Sequence, residues 1–448
     1  MGIDFLKTVF IENKSEPAIA WNDELYSYQQ LTDKINHWNK ILTAKHIHSG
    51  DVVSIIGDFS LNSIALFLEL IDRACIIVPM LNDVSDKRKL LSNEITSIRY
   101  SFTMNSEDEF SFKKEDTQSD NQIFYSDLRK AKVPGLVLFS SGTSGQPKAA
   151  VHNFSLLLEK FKTKRSTLST LNFLLFDHWG GLNTVLHTLS NGGLVLTVND
   201  RTPSRVCKLI EQYEVEVLPT SPSFLNLLLV SGEYKKYDLK SLKIISYETE
   251  PMAPVTLQRL NTIFPDTKIH QTYGLIELGV LRSKSKSSNS LWVKVGGEGF
   301  QTRVVDGLLE IKSKSAMLGY LNAPSPFTED GWFITGDAVE VDGDWLKILG
   351  RKSELINIGG EKVYPQEVEN CLHKAFNVEE ATVYKESNKL LGNIVCAKIK
   401  LQDPEDAKDA KRRIKKHCIE NLEKFKVPVK YTFVDESLSN TRFKKNRA

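Results

Sequence analysis

Residues 136–148 read Leu136-Val137-Leu138-Phe139-Ser140-Ser141-Gly142-Thr143-Ser144-Gly145-Gln146-Pro147-Lys148. The apolar run 136–139 has the length and texture of a buried strand, and a loop of hydroxyls and glycines follows it directly. Two glycines let a backbone turn tightly and bring its N–H groups up to an anion. The hydroxyls add neutral donors and Lys148 adds a positive charge, which together make the chemistry of a polyphosphate cradle. A Walker A loop needs four residues between its first glycine and Gly-Lys-Ser/Thr, and this loop does not have that spacing.

Working outward, the same apolar texture recurs at 52–56, 75–79, 194–198, 215–218 and 242–246, with amphipathic helix patterns such as 204–213 and 255–263 between the runs. Strands alternating with helices predict a layered α/β fold with largely parallel sheets. The polar stretch 105–122 reads as a surface excursion and 284–290 as a loop. Beyond them, short strands at 307–311, 332–334 and 345–348, separated by Gly and Asp, predict a small β-rich subdomain. A compact α+β pattern then closes the chain, with a helix starting at Pro365, strands at 381–384 and 395–401, and a basic helix over 406–424. The expected division is an N-terminal body, 1–352, and a smaller, mobile C-terminal domain, 353–448. A length of 448 residues suits several subdomains rather than one core, at roughly 150 residues each.

Lys plus Arg number 58 against 56 for Asp plus Glu, a net charge of +2, which argues against a general nucleic-acid binder. The five cysteines (Cys75, Cys207, Cys371, Cys396 and Cys418) are far apart and form no CxxC pair. They read as buried free thiols rather than a zinc site or disulfide framework. The most apolar stretch, 63–81, is interrupted by Glu69, Asp72 and Arg73, so no membrane span is expected. The N-terminal MGIDFLKTVF is too short for a signal peptide, and a cytoplasmic location is the expectation.

Four further segments come after the hydroxyl-rich loop in order: Tyr273-Gly274-Leu275-Ile276-Glu277; Thr335-Gly336-Asp337; Gly350-Arg351-Lys352-Ser353 leading into Gly359-Gly360; and Val363-Tyr364-Pro365-Gln366-Glu367 opening a helix. Singly, each could be a turn, a strand cap, a surface salt bridge or a helix start. In this order they resemble the adenylate-forming superfamily of acyl- and aryl-CoA ligases, peptide-synthetase adenylation domains and luciferases, over nearly the whole chain. The resemblance implies a two-step reaction. A carboxylate attacks the α-phosphate of ATP to give acyl-AMP and pyrophosphate, and a thiol then displaces AMP. CoA is the expected thiol, the phosphopantetheine of a carrier protein is its rival, and a catalytically weak nucleotide-binding protein is the alternative of another class.

By motif position, Ser141, Gly142, Thr143, Ser144, Gly145 and Lys148 resemble the β,γ-phosphate loop, and Glu277 resembles the Mg²⁺ ligand, an oxygen donor suited to a hard cation. Tyr273, beside Gly274, resembles the adenine-stacking residue. Asp337 resembles the acceptor of the ribose hydroxyls, with Arg351 as its basic companion. Glu248-Thr249-Glu250 falls where the family has a Gly-rich, adenine-contacting turn. Phe176-Asp177-His178-Trp179-Gly180-Gly181 resembles the segment lining the carboxylate entrance, so His178 and Gly180 are candidates for the acid pocket, with an aryl or short-chain acid favoured. Gly359 and Gly360 resemble the thiol-channel loop. The tail 438–447 resembles the segment that delivers the adenylation lysine; spacing from Leu438 and Thr441 selects Lys445, and spacing from Arg447 selects Lys444. Several positions depart from the pattern. Ile276 stands where a Thr hydroxyl usually meets the α-phosphate, Ala149 replaces a Gly, Ser353 holds a hinge position usually Asp or Lys, and Lys444 replaces a Gly. The basic run Lys411-Arg412-Arg413 with Lys415-Lys416 reads as a solvated helix face rather than a docking site.

Overall fold

The computed structural model describes residues 2–83, 85–116, 122–140, 147–297, 299–388 and 392–438. Three seven-stranded sheets and a C-terminal α+β unit make up the architecture. The first sheet runs in the order Lys268–Gln271, Ile244–Tyr247, Val217–Thr220, Thr170–Asn172, Val195–Thr197, Pro17–Trp21, Glu24–Ser27. It is parallel except for its last, hairpin strand. The second runs Gly319–Tyr320, Lys148–Asn153, Gly135–Ser140, Ile76–Met80, Val52–Ile56, Tyr100–Met104, Phe110–Lys114, with a parallel centre and antiparallel edges. Its central strands Val52–Ile56 and Ile76–Met80 are buried at every position, as expected for strands covered on both faces.

Local signals account for the helices between these strands. Thr202 caps Pro203–Tyr213 by accepting from the Arg205 N–H, Pro203 occupies the first turn, and Glu214 ends the helix in the left-handed region. Its apolar face, Val206, Cys207, Leu209 and Ile210, is buried. Helix Leu61–Asp72 and helix Trp179–Leu189 contribute Leu66, Phe67, Trp179 and Leu182 to the largest hydrophobic cluster, alongside Phe154 and Phe176.

Two expectations need correction. The stretch read as a surface excursion contains the edge strand Phe110–Lys114, paired antiparallel with Tyr100–Met104. Phe110 and Phe112 alternate onto Phe102 and, for Phe110, onto Trp38, a period-2 signal hidden by the charged residues around it. The β-rich subdomain is also not small. A third, wholly antiparallel sheet spans Tyr273–Leu275, Gly279–Ser285, Val293–Gly296, Trp345–Arg351, Phe333–Asp342, Leu308–Ser313 and Phe300–Val305. Phe333–Asp342 is one strand of 10 residues, longer than its apolar run because much of it is only half covered.

After the short 3₁₀ turn Lys352–Glu354, the chain builds a separate hydrophobic cluster that runs from Ile356 to Tyr431. Helices Pro365–Leu372 and Ala407–Asn421 accompany a three-stranded sheet of Val378–Asn388, Gly392–Leu401 and Lys430–Phe433. All five cysteines are buried. Among the described residues, no helix is long and apolar enough to cross a membrane.

Candidate active site

The hydroxyl- and glycine-rich stretch 141–146, with Ser141, Gly142, Thr143, Ser144 and Gly145, lies outside the described residues, as do Lys444 and Lys445. The loop leaves strand Gly135–Ser140 and re-enters at strand Lys148–Asn153, and these two strands pair antiparallel from Ser140↔Lys148 inward. Its returning end is clamped by the segment around strand Gly319–Tyr320. Asn322 Oδ1 accepts from the Ala149 N–H at 2.9 Å, Asn322 Nδ2 donates to Pro147 O at 2.9 Å, and the Leu321 N–H donates to Ala149 O at 2.9 Å.

This clamp brings in Tyr320, which the sequence reading missed. Its hydroxyl donates to Glu277 Oε1 at 2.6 Å, and the Lys148 ammonium lies 5.4 Å from its ring centroid. One aromatic side chain therefore joins the loop lysine to the carboxylate, by a cation–π contact on its face and a charge-assisted hydrogen bond at its tip. Burial and then the charge of Glu277 push the Tyr320 phenol well up, so it remains a donor. The neighbouring Gly319-Tyr320-Leu321-Asn322, an aromatic and an amide beside glycine, was the available signal.

A second group forms by sheet register. Asp337 and Arg351 are direct cross-strand partners, so their side chains share a face. Arg351 Nε meets Asp337 Oδ1 at 2.7 Å, and the Tyr273 hydroxyl donates to Asp337 Oδ2 at 2.5 Å. Burial pushes the Asp337 carboxyl above its usual range, against the opposing pull of Arg351 and Tyr273. The same burial, with the charge of Asp337, holds the Tyr273 phenol far above its ordinary value. Glu277 is near enough to raise Asp337 further, so the two groups belong to one electrostatic neighbourhood.

Ile276 is half-buried and packs against two hydrophobic clusters, while its carbonyl accepts from buried His152 Nε2 at 2.8 Å. Burial holds His152 down at about 4, hence neutral, and its hydrogen bond fixes the peptide immediately before Glu277.

The third group surrounds His178. This residue caps helix Trp179–Leu189, its Nδ1 accepting from the Gly180 N–H at 3.1 Å. Glu248 Oε1 stands 3.7 Å from the same nitrogen, and Glu248 Oε2 accepts from the Thr272 hydroxyl at 3.2 Å. Gly180 leaves room for these side chains: a Cβ on it would sit 2.1 Å from Glu248 Oε1 and 2.5 Å from Leu174 Cδ1, so both side-chain ends would have to move. The turn 248–250 therefore splits its duties. Glu248 faces His178, Thr249 takes a left-handed φ of +77°, and Glu250 accepts from the Ser223 hydroxyl at 2.7 Å on the side facing the C-terminal unit. Glu248, read from sequence as part of an adenine-contacting turn, stands beside His178 in the fold.

Two of the predicted residues stand elsewhere. Gly359 and Gly360, at φ +58° and +98°, form the exposed tip of the hairpin Ile356–Ile358/Glu361–Val363, pinned to the C-terminal sheet by Asn393 Nδ2 to Asn357 O at 2.9 Å. A Cβ at Gly360 would meet nothing within 4 Å. The described chain ends at Ser437 and Leu438, held by Glu380 (Leu438 N–H to Oε2, 2.8 Å) in a cleft that Glu250 and Ala253 also line. From Leu438, the seven residues to Lys445 span at most roughly 25 Å when extended.

A family model described as AMP-binding enzyme matches residues 9–306, and one described as AMP-binding enzyme C-terminal domain matches residues 367–445. The chain is an AMP-binding enzyme family member. This AMP-binding chain is 28% identical over 295 residues to 4-coumarate–CoA ligase-like 9 of Arabidopsis thaliana, covering 59% of this chain and 52% of that one. It is 23% identical over 468 residues to 2-succinylbenzoate–CoA ligase of Enterococcus faecalis, covering 93% and 91%. The chain spans only between 52% and 64% of the length of several of the curated relatives it matches. The crystal structure of the anthranilate CoA ligase AuaEII in complex with anthranoyl-AMP superposes with a TM-score of 0.85 at 18% identity, covering 99% of this chain and 95% of that one. The fold is thus that of the adenylate-forming ligases.

Proposed function

We propose that this chain is an acid–thiol ligase that activates a carboxylic acid as acyl-AMP with release of pyrophosphate, then passes the acyl group to CoA. The observation that carries this reading is the convergence of Lys148, Tyr320 and Glu277 with Tyr273, Asp337 and Arg351, residues far apart in the chain, beside the turn 248–250 and His178. Relatives named as CoA ligases favour CoA over a carrier-protein arm.

Each group has a chemical duty in this scheme. Asp337 has about four lone-pair sites; Arg351 and Tyr273 occupy two, and the others suit two ribose hydroxyls. Tyr273 is assigned to the adenine side; its ring is buried in the cluster of the third sheet, and its hydroxyl holds Asp337. Lys148 places positive charge where the returning end of the phosphate loop meets the sheet. Negative charge spreads over phosphate oxygens as the acid attacks, so donors already fixed in place lower the barrier. Among the described residues, no group of three or more His, Cys, Asp or Glu could hold a metal by itself. Mg²⁺ carried on nucleotide phosphates needs only one or two carboxylates, and Glu277, held by Tyr320 in a half-exposed position, fits that requirement. Bound there, the ion would neutralise phosphate charge. A lysine from the tail, Lys445 or Lys444, is assigned to the first step, and the Gly359-Gly360 hairpin to the second. The N-terminal body to residue 352 then carries the nucleotide and acid, and the unit from 353 presents these two elements in turn.

The test is pyrophosphate release on mixing the chain with ATP, Mg²⁺ and a panel of carboxylic acids. Acid-dependent release is expected, and Glu277→Gln should cut it sharply while folding is little changed. Wild-type release rates in Glu277→Gln would refute the site assignment.

A further inference from the structure

Strand Val378–Asn388 begins where the C-terminal unit meets the body. There Asn226, on the body's helix Pro222–Ser231, donates from Nδ2 to the Glu379 carbonyl at 3.2 Å, and its Oδ1 faces the Thr256 hydroxyl at 3.5 Å. The Glu379 carboxylate pairs with Lys400 at 2.9 Å, within the unit. Glu380, the next residue, holds the tail instead. Its Oε2 accepts the Leu438 N–H at 2.8 Å, and the Ser437 hydroxyl donates to Oε1 at 3.1 Å. Ser437, Leu438 and Glu380 line a cleft of about 100 Å³ together with Ser223, Asn226 and Ala253 of the body, and the Leu438 side chain is buried. The sheet does not hold this part of the chain. Its last strand, Lys430–Phe433, ends well before Leu438, and the Val434 N–H to Ile399 O, at 3.0 Å, is its last ladder bond among the described residues.

We propose that Glu380 is a positioning residue for acyl-AMP formation: by holding Ser437 and Leu438 in this cleft, it fixes the point from which the tail lysine is delivered. Asn226 places that point relative to the body. The proposal rests on the ligase reading and on the assignment of Lys445 or Lys444 to the first step. Tether length gives the physical basis. From Leu438 the tail has seven residues to Lys445; with the Glu380 bonds lost, the last ladder bond, at Val434, is eleven residues away. The local concentration of a tethered group falls roughly as the −3/2 power of tether length, so slack alone lowers it about twofold. Losing hydrogen bonds to a carboxylate raises the penalty to about tenfold, because they also set the direction in which the tail leaves. The Glu380 bonds lie inside the unit and would turn with it, whereas the Asn226 bond crosses to the body and would break on turning. The thiol step, assigned to the Gly359-Gly360 hairpin, uses neither.

The experiment measures two half-reactions on the full chain: single-turnover acyl-AMP formation, with an acid from the panel that supports pyrophosphate release, and thioester formation from synthetic acyl-AMP and CoA. Glu380→Ala should slow the first step roughly two- to tenfold, the span between slack alone and slack with the lost bonds, and leave the second at the wild-type rate. Glu380→Gln keeps one acceptor oxygen and should fall between the alanine variant and wild type. Leu438→Pro removes the donor N–H from the other side and should slow the first step by a similar factor, with little further loss when combined with Glu380→Ala. Leu438 sits in the tail, so that variant decides should Glu380→Ala fold poorly. Equal loss in both steps, or losses that simply multiply in the double variant, would reduce Glu380 to a structural role and overturn the inference. A wild-type first step in Glu380→Ala, where Lys445→Ala or Lys444→Ala abolishes that step, also overturns it and leaves the ligase reading standing. No pyrophosphate release with any acid overturns both.

Discussion

Thr249 sits at φ +77°, a left-handed conformation that a β-branched residue rarely adopts. Its flanks are pinned. The Glu248 N–H bonds Thr220 O at 3.1 Å, the Thr272 N–H bonds Tyr247 O at 2.9 Å, and the Glu250 carboxylate accepts from Ser223 at 2.7 Å. The surrounding structure thus imposes the strain, as it must for strain to persist. Left-handed backbone costs a non-glycine residue about 1–2 kcal/mol, and glycine avoids that at an entropic cost of about 0.5–1 kcal/mol. Thr249→Gly should therefore stabilise the body by roughly 0.5–1 kcal/mol, a rise of about 1–3 °C in melting temperature. Thr249→Ala keeps a Cβ and should gain nothing. Because the turn borders the proposed nucleotide site, the freedom that glycine adds should raise the KM for ATP about two- to fivefold, the same entropy read as affinity. Melting curves and pyrophosphate exchange measure both quantities on the same preparations. A Thr249→Gly variant no more stable than Thr249→Ala would refute the strain argument.

Ile276→Thr restores the hydroxyl that the family pattern places at the α-phosphate. A hydrogen bond to a charged oxygen, about 1.5–3 kcal/mol, sets the ceiling at roughly ten- to a hundredfold faster adenylation in single-turnover assays. An unchanged rate would mean that packing of Ile276 between its two clusters decides that position instead. Lys160, held down to about 7 by burial against an ordinary 10.5, gives a pH signature. Between those values the unfolded chain binds more protons than the folded one, so stability rises with pH, and Lys160→Met should flatten that slope in melts from about pH 7 to pH 10. For the C-terminal unit, Lys445→Ala should abolish acyl-AMP formation but still convert synthetic acyl-AMP and CoA into thioester, and Gly360→Leu should do the reverse. Lys444→Ala run in parallel decides between the lysines, and equal loss of both steps in every variant would remove support for a rotating unit.

The layered α/β body was legible because its strands are short, mostly apolar runs set apart by turns, and five ordered motifs pointed to the candidate site. The features that escaped were carried by contacts that have no sequence period. Tyr320 reaches Glu277 only because strand Gly319–Tyr320 pairs with Lys148–Asn153, some 170 residues earlier by sequence number. Glu248 reads from sequence as part of a nucleotide turn, and the fold sets its Oε1 3.7 Å from His178 Nδ1. The extent of the third sheet was understated for a related reason: antiparallel strands with one exposed face, such as Phe300–Val305, alternate weakly and lack a continuous apolar run.

The placement of Arg351 links the proposed nucleotide site to the C-terminal unit. It is the last residue of strand Trp345–Arg351, paired in register with Asp337, and the 3₁₀ turn Lys352–Glu354 begins immediately after it. A pair held by sheet register does not depend on the residues C-terminal to it. Rotation about the exposed Ser353 would therefore leave Asp337, Arg351 and Tyr273 in contact while it carried the hairpin Ile356–Ile358/Glu361–Val363 and the tail beyond Leu438 together. The hairpin belongs with the unit's own cluster, since Ile356, Ile358 and Val363 are buried in it, and Leu438 is tied to the same unit through Glu380. On the proposed scheme, the hairpin and the tail serve different half-reactions, which would then be separated in time. The ion pair two residues before Ser353 would, on the same scheme, keep the nucleotide in place through that exchange.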